Sequence, residues 1–342
     1  MMDTHVSGRE RRSSVDLTPL SLGGAQLGNL YVPIDDEAAR GTVDAAWSEG
    51  IRTFDTAPHY GLGLSERRLG AALAGRARDE FVLSTKVGRL LLPQDARGQM
   101  DDAGFAVPAA FRRVWDFSRD GILRSLAESL ERLGLDRVDI VYLHDPDDHR
   151  DDAFLHAYPA LEELRSQGVV SAIGAGMNQT AMLADFARHT DVDLLMLAGR
   201  YTLLDQSALD DLLPACVDRD VVVVAAGVFN SGLLARPAPT PAAHYEYGPA
   251  PSELVDRARR IAAVCERHGT TLPAAALAFP LAHPAVVSVC IGAHLPEQVV
   301  RNTALGRAAV PGALWVELKE EGLLRRDAPV PAGRAQREGL LA

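Results

Sequence analysis

Short apolar runs alternate with longer amphipathic stretches along most of the chain. Eight runs read as buried strands: LSLGG (20–24), IRTFDTA (51–57), FVLSTKV (81–87), VDIVYLHD (138–145), VSAIGAG (170–176), DLLMLAG (193–199), VVVVAAG (221–227) and VVSVCIG (286–292). They are rich in Val, Ile and Leu and do not alternate apolar with polar. That continuity belongs to parallel strands covered on both faces. Helical patterns fill the intervals. In DGILRSLAESLERLGL, Ile122, Leu123, Leu126, Leu130 and Leu133 recur at helical spacing. In SELVDRARRIAAVCERHG, Leu254, Ala258, Ile261, Ala262 and Cys265 form one face, with Ser252 the expected N-cap and Gly269 the expected stop. DEAARGTVDAAWSEG and AYPALEELRSQG follow the same rule.

Eight strands, each followed by a helix, predict an α/β fold, a (β/α)8 TIM barrel in a single domain. An open doubly wound sheet loses its strongest marker, because no G-x-G-x-x-G turn follows the first run. The expected layout is a polar arm over 1–16, the barrel over 17–325 and a tail over 326–342. Two segments read as loops: the long, weakly periodic stretch 89–120 and the Pro-rich stretch 235–252. A loop as long as the first usually has a function.

Composition narrows the class. Of 342 residues, 47% are apolar and 24% charged, an ordinary globular balance at a length that supports a large core. The net charge of −11 argues against nucleic acid and anionic membrane as main partners. No run approaches the ~18 apolar residues of a membrane helix, and the first residues lack the apolar stretch of a signal peptide. Cys216, Cys265 and Cys290 have no metal-ligand spacing and read as buried, reduced thiols in a cytoplasmic setting.

Barrel enzymes carry their chemistry at the C-terminal ends of the strands. There the second run delivers Asp55 and then Tyr60, the third Lys86 and the fourth His144. The last run leads into GAHLPEQVVRN, a loop and helix N-terminus suited to an anion. Taken singly, Asp55 reads equally as a turn cap, Lys86 as a strand-end charge, His144 as a satisfied histidine and Tyr60 as packing. HDPDDH (144–149) invites a metal reading, but its carboxylates read as a solvated loop and no metal is expected. Taken together, the four form a set for proton transfer at a carbonyl or alcohol. A phenol has a reference pKa of ~10. An adjacent ammonium at Lys86 would lower it, and a buried ammonium needs the Asp55 carboxylate. His144 would bond and orient a substrate oxygen.

Three motifs in this order, FDTAPHYGLGLSERRLG, LSTKVG and VYLHD, resemble the Asp/Tyr, lysine and histidine motifs of the aldo-keto reductases. The resemblance runs over residues 17–305. It implies a nicotinamide cofactor, NAD or NADP, and a catalytic tetrad of Asp55, Tyr60, Lys86 and His144, with Tyr60 as acid/base. In the first motif, Ser65 is the expected N-cap and Gly70 the expected point of close helix packing. TAPHYGLGLSERRLG, WDFSRDGILRSLAESLERLGLDRVDIVYLHDPDD, RYTLLDQ and AAGVFNSGLL are similar to the branch that oxidises free aldoses, of the L-fucose or D-threo type, to aldonolactones. A related branch oxidises pyridoxal. The non-enzymatic alternative is a cofactor-binding regulatory subunit.

The resemblance implies cofactor contacts at Asn178, Gly227, Ser231, Gly232, Leu233, Gly292, Ala293, His294, Gln298 and Asn302. Met177 departs from the family's polar pair, and Ala225 or Ala226 stands where a stacking tyrosine is common. Ala293 and His294 replace the Lys or Arg that many relatives place against the 2′-phosphate, so NAD is expected to be used at least as well as NADP. For the substrate, Trp115 and Phe229 are expected to pack on the sugar ring, and Asp116 or Asn230 to bond its hydroxyls. The expected partner is a small sugar or aldehyde, and the expected assembly a monomer or weak homo-oligomer.

Overall fold

The computed structural model describes residues 15–331, apart from 241–243 and 247. The expected N-terminal arm up to residue 14 and the expected tail from residue 332 lie outside the described residues. Strands β1 (Leu20–Gly23), β2 (Thr53–Asp55) and β3 (Val82–Val87) open a closed parallel barrel. Strands β4 (Arg89–Pro93) and β5 (Phe111–Trp115) then form an antiparallel hairpin leaving the end of β3. The barrel continues through β6 (Ile140–His144), β7 (Ala172–Met177), β8 (Leu194–Ala198) and β9 (Val222–Ala226). After a two-residue ladder, β10 (His244–Tyr245) with β11 (Gly248–Pro249), strand β12 (Val286–Gly292) closes the barrel against β1. All eight runs read from the sequence become barrel strands.

Helices cover the outside. The first three are α1 (Asp36–Ser48), α2 (Leu64–Leu73) and α3 (Arg119–Leu133). Alternation along each strand sends neighbouring side chains to opposite faces. Phe54, Leu83, Val141, Ile173, Leu195 and Val223 pack outward against the helices. Ile140, Tyr142, Leu194, Met196, Val224 and Cys290 fill the barrel interior. The same alternation turns Asp55, Lys86 and His144 inward at the strand ends.

Several local expectations change. Segment 89–120 is not a loop: five residue pairs from Arg89↔Trp115 to Pro93↔Phe111 build the hairpin. Its alternation is hidden because Leu91 packs into a satellite cluster with Leu62, Phe105 and Val107 rather than into the main core. Ser65 is not the N-cap of α2; that position is Gly63, at φ 80°. Ser65 Oγ instead donates to the Gly24 carbonyl at 2.6 Å and bonds the Thr56 hydroxyl at 2.8 Å, tying the exits of β1 and β2 together. Ser252 is the first residue of its helix (Ser252–Arg267), with Pro251 at the N-cap. That helix buries Val255 and Val264 as well as the expected Ala258, Ile261 and Cys265. Gly269 ends it in the left-handed region, at φ 65°. The start of the expected tail is packed: Ala328 is buried, and its carbonyl accepts from Lys319 Nζ at 2.7 Å.

Two glycines are required by contact. A Cβ on Gly70 would stand 1.9 Å from the Leu133 carbonyl, so α2 and α3 meet only because it is absent. Gly61 has φ 61° and its Cβ would lie 2.2 Å from the Gly28 carbonyl. Among the described residues no helix is long and apolar enough to cross a membrane. The three cysteines are buried and free.

Candidate active site

The site starts from register. Asp55 pairs with Ser84 across β2 and β3, and Lys86 with Tyr142 across β3 and β6. These pairings set Asp55 and Lys86 side by side inside the barrel mouth, 3% and 2% exposed. Lys86 Nζ donates to Asp55 Oδ2 at 2.5 Å and to the Thr56 carbonyl at 3.1 Å. Ser84 Oγ donates to the other carboxylate oxygen at 2.7 Å. Tyr60 is delivered by the turn after β2. Its N–H donates to the Ala57 carbonyl at 3.1 Å, and its carbonyl accepts from the Ser65 N–H at 3.2 Å. Lys86 Nζ lies 4.7 Å from the centre of the Tyr60 ring. The His144 ring stands nearly perpendicular to that of Tyr60, with centroids 5.8 Å apart. The four residues expected to act together do converge.

Their electrostatics are less simple than the sequence suggests. Burial works against the Lys86 ammonium, but Asp55 and then Tyr60 outweigh it and hold its pKa above the usual value. For Tyr60, burial dominates and raises the pKa above that of an ordinary phenol. Lys86 pulls it back down, and Asp55 pushes it up again. The net lowering expected for Tyr60 is therefore not what its resting surroundings give, because desolvating a phenolate outweighs one ammonium already held by a carboxylate. Burial, then Arg89 and Lys86, keep the His144 pKa well below the usual value, so its ring is neutral.

The hairpin β4–β5 walls one side. Arg89 pairs with Asp145 and lies 4.1 Å over the Trp115 ring. Trp115 stacks on Phe117 with centroids 5.8 Å apart. Asp116 Oδ1 accepts from the Ser118 N–H at 3.1 Å and from its hydroxyl at 2.6 Å, fixing the entry to α3. Trp115 and Asp116 thus serve the exit of the hairpin.

Beside Tyr60 and Asp55 a cavity of about 430 Å³ opens along the barrel mouth. Asn178, Gly227, Phe229, Asn230, Ser231, Gly232, Gly292, His294, Gln298 and Asn302 line it. Leu233 and Ala293 do not: both side chains turn into the hydrophobic core, each 1% exposed. Trp115 and Asp116 are not in its lining either. Residues that sequence reasoning missed include Gly23, Gln26, Met196, Arg200, Glu246, Cys290 and Arg301. Gly23 ends the first strand and Gln26 follows it, so the strand-end rule covers them. Arg200 enters from the loop after β8 and pairs with Glu246, a contact no local pattern announces. Arg301 adds an exposed guanidinium that the reading of Ala293 and His294 did not count.

The lining suits a dinucleotide. Asn230 Oδ1 is buried without a hydrogen-bond partner, and its Nδ2 makes only a 3.4 Å bond to the Gly199 carbonyl. A ligand with amide, hydroxyl and phosphate groups supplies what that oxygen and the neighbouring Asn178, Ser231, Gln26 and Asn302 can bond. Among the described residues no three His, Cys, Asp or Glu side chains are grouped so as to hold a metal.

Known proteins resemble this chain in sequence and in fold. The model of the aldo/keto reductase family matches residues 19–311. A D-threo-aldose 1-dehydrogenase from Pseudomonas sp is 51% identical, over 89% of this chain and 94% of its own. A pyridoxal 4-dehydrogenase from Microbacterium luteolum is 37% identical over 94% and 99%. Among solved structures, an aldo-keto reductase from Bacillus halodurans superposes with a TM-score of 0.70 at 26% identity, covering 93% of this chain and 95% of that one. A family match across most of the barrel and relatives of this identity imply use of a nicotinamide cofactor. The chain belongs to the aldo/keto reductase family and is an oxidoreductase enzyme.

Proposed function

We propose that this enzyme oxidises the anomeric carbon of a free aldose, of the L-fucose or D-threo type, to an aldonolactone, with Tyr60 as the proton-transfer group. The observation that carries the chemistry is the meeting of the Lys86–Asp55 pair, Tyr60 and His144 beside a cavity that Asp55 and Tyr60 line. The substrate class rests on the 51% identity to a D-threo-aldose 1-dehydrogenase.

Asn178, Ser231, Gly232, Gln298 and Asn302 would hold the cofactor, NAD or NADP. Bound there, it supplies the hydride acceptor. The chain's own residues handle the oxygen and its proton. Neutral His144 bonds the anomeric oxygen and orients it. Tyr60 takes the hydroxyl proton. Lys86 stabilises the phenolate form of Tyr60 that accepts this proton, and Asp55 keeps Lys86 charged and in place. Phe229 offers an apolar face to the sugar ring and Asn230 a polar amide to its hydroxyls. Trp115 stacks on Phe117 and Asp116 bonds Ser118 at the exit of the hairpin, so neither is given a role in the proposed substrate site. The net acidity of the chain and its three buried, free thiols support a cytoplasmic enzyme with a small-molecule partner.

The pyridoxal dehydrogenase relative supports a second reading. An aldose and pyridoxal share a reacting group, since each carries a hydroxyl that closes on its own aldehyde to a cyclic hemiacetal. Oxidation of that hemiacetal gives a lactone in both cases. Purified protein assayed on an aldose panel with L-fucose, and on pyridoxal, each with NAD and NADP, separates the two by reduced-cofactor absorbance. The first reading expects an aldose to exceed pyridoxal at least ~10-fold in kcat/KM, a difference of about 1.4 kcal/mol. Faster pyridoxal turnover selects the second reading, and no turnover of either removes both.

A further inference from the structure

The hairpin β4–β5 lies outside the barrel, yet it carries an ion pair that the proposed proton transfer does not use. Arg113 on β5 stands opposite Leu91 on β4 and so points to the same face, towards the small cluster of Leu62, Leu91, Phe105 and Val107. Its guanidinium carbon lies 5.8 Å from the centre of the Phe105 ring. Its two terminal nitrogens donate to the two oxygens of Asp101, at 2.6 and 3.0 Å. The Asp101 side chain is only 3% exposed. Asp101 is fixed in turn by its N–H, which donates to the Val107 carbonyl at 2.9 Å.

One of those nitrogens has a second task. Arg113 Nη2 also donates to the carbonyl of His59, 54 positions earlier, at 3.0 Å. His59 directly precedes Tyr60, and the turn they share needs holding. Gly61, Leu62 and Gly63 follow one another with φ of 61°, 53° and 80°. That region disfavours a residue with a Cβ such as Leu62, and a conformation of this kind persists only where its surroundings fix it. Within the turn the His59 carbonyl accepts from the Leu62 N–H at a long 3.5 Å. Gly28 closes on the same turn, where its Cβ would stand 2.6 Å from the Tyr60 carbonyl carbon and 2.8 Å from the Gly61 nitrogen. The Tyr60 ring packs on Phe105 with centroids 6.1 Å apart. Arg113 therefore reaches Tyr60 twice, through the backbone bond to His59 and through Phe105.

We propose that Arg113, held by Asp101, is a positioning residue for Tyr60: the hairpin fixes the turn that carries Tyr60 through the His59 carbonyl. This rests on the reading of Tyr60 as the proton-transfer group. It gives the long segment after β3 a part in the reaction without any contact to substrate. The arrangement needs a planar, charged fork that bonds a carboxylate with two nitrogens and a carbonyl with one of them, which is arginine's geometry.

The test is a mutant cycle between this pair and Tyr60, run on whichever substrate, an aldose or pyridoxal, the wild type turns over fastest. Arg113→Met alone leaves the buried Asp101 carboxylate unpaired, so it is made together with Asp101→Asn. Rates are expressed per site that binds reduced cofactor by fluorescence, so that unfolded protein does not count. The Asp101→Asn/Arg113→Met variant is expected to lower kcat ~10–100-fold, the effect of a misplacement of about 1 Å, with the substrate KM within ~2-fold of the wild type. Added to Tyr60→Phe, the same pair of changes is expected to cost less than ~2-fold, because the phenol it positions is gone. Arg113→Lys keeps the charge without the fork. It is expected to fall between wild type and the paired variant, and it carries the same cycle should the paired variant bind no cofactor. A kcat per binding site equal to that of the wild type, or a loss of the same size with and without the Tyr60 hydroxyl, makes Arg113 and Asp101 merely structural and overturns the proposal. Tyr60→Phe is also measured with Arg113 intact. If it alone keeps the full rate, or the wild type turns over neither an aldose nor pyridoxal, the reading of Tyr60 itself fails and takes this inference with it.

Discussion

Tyr60 sits under opposed influences, and their balance sets a pH dependence. Burial holds its proton on, and Lys86 favours its release. At neutral pH the resting phenol is therefore protonated, the form that donates to a carbonyl oxygen. Oxidation of an alcohol needs the opposite form. Its kcat/KM should rise with pH from neutrality towards at least the ordinary phenol value of ~10, while reduction in the reverse direction stays level over the same span. An oxidation rate already flat near neutrality would contradict this. Tyr60→Phe should lower turnover by about 10²–10⁴-fold with cofactor binding retained; full turnover in that variant removes Tyr60 from its role. Arg301 is the other residue whose effect is separable. It lies in the cavity lining with no ion-pair partner among the described residues. Arg301→Ala should raise the KM for NADP about tenfold, roughly one charge-assisted contact, and leave NAD unchanged. The wild type should still use NAD at least as well as NADP, and a strong preference for NADP would argue against the cofactor proposal.

Strands and helices set the next scale. The Lys86–Asp55 pair joins β3 to β2 where both groups are out of water. Removing one partner strands a buried charge, so Lys86→Ala should cost about 3–5 kcal/mol in urea unfolding. An Asp55→Asn/Lys86→Met double variant should recover much of that loss, because it leaves no charge uncompensated; equal losses in single and double variants would contradict the argument. Helices α2 and α3 touch backbone to backbone at Gly70. Gly70→Ala should therefore cost about 1–3 kcal/mol by overpacking, despite alanine's better helix propensity. A stabilised variant would mean that the helices separate freely. The sequence marked both helices through their apolar spacing. It did not mark the hairpin at 89–115, whose strands pair with each other and pack on a small cluster of their own. Nor did it show that Ser65, which has a capping residue's chemistry, bonds the Gly24 carbonyl 41 positions away.

For the whole molecule, buried neutral histidines tie stability to pH. His59 and His144 have folded-state pKa values depressed below the unfolded value of ~6.5. As pH falls through ~6.5 the unfolded chain binds protons that the native state refuses, so stability falls. The slope is up to about 1.4 kcal/mol per pH unit for each such ring. Asp145, its carboxyl raised by burial, works in the opposite direction. Urea midpoints should drop between about pH 7.5 and about pH 5.5, and less steeply in His59→Phe. Equal midpoints at the two values would show that these rings become protonated without unfolding.

The barrel was legible because each strand is a continuous apolar run and each helix carries its own period, and such local patterns survive in a linear reading. The convergence of Asp55, Tyr60, Lys86 and His144 was legible for a related reason: strand-end positions in a parallel barrel meet whatever else the fold does. Long-range contact decided the remainder. Leu233 and Ala293 stand beside cavity residues in sequence but face the core, while Arg200 and Glu246 reach the cavity from loops with no pattern of their own. The sign of the Tyr60 shift likewise belongs to the tertiary structure, because desolvation depends on what surrounds a group in space, and its sequence neighbours do not reveal that.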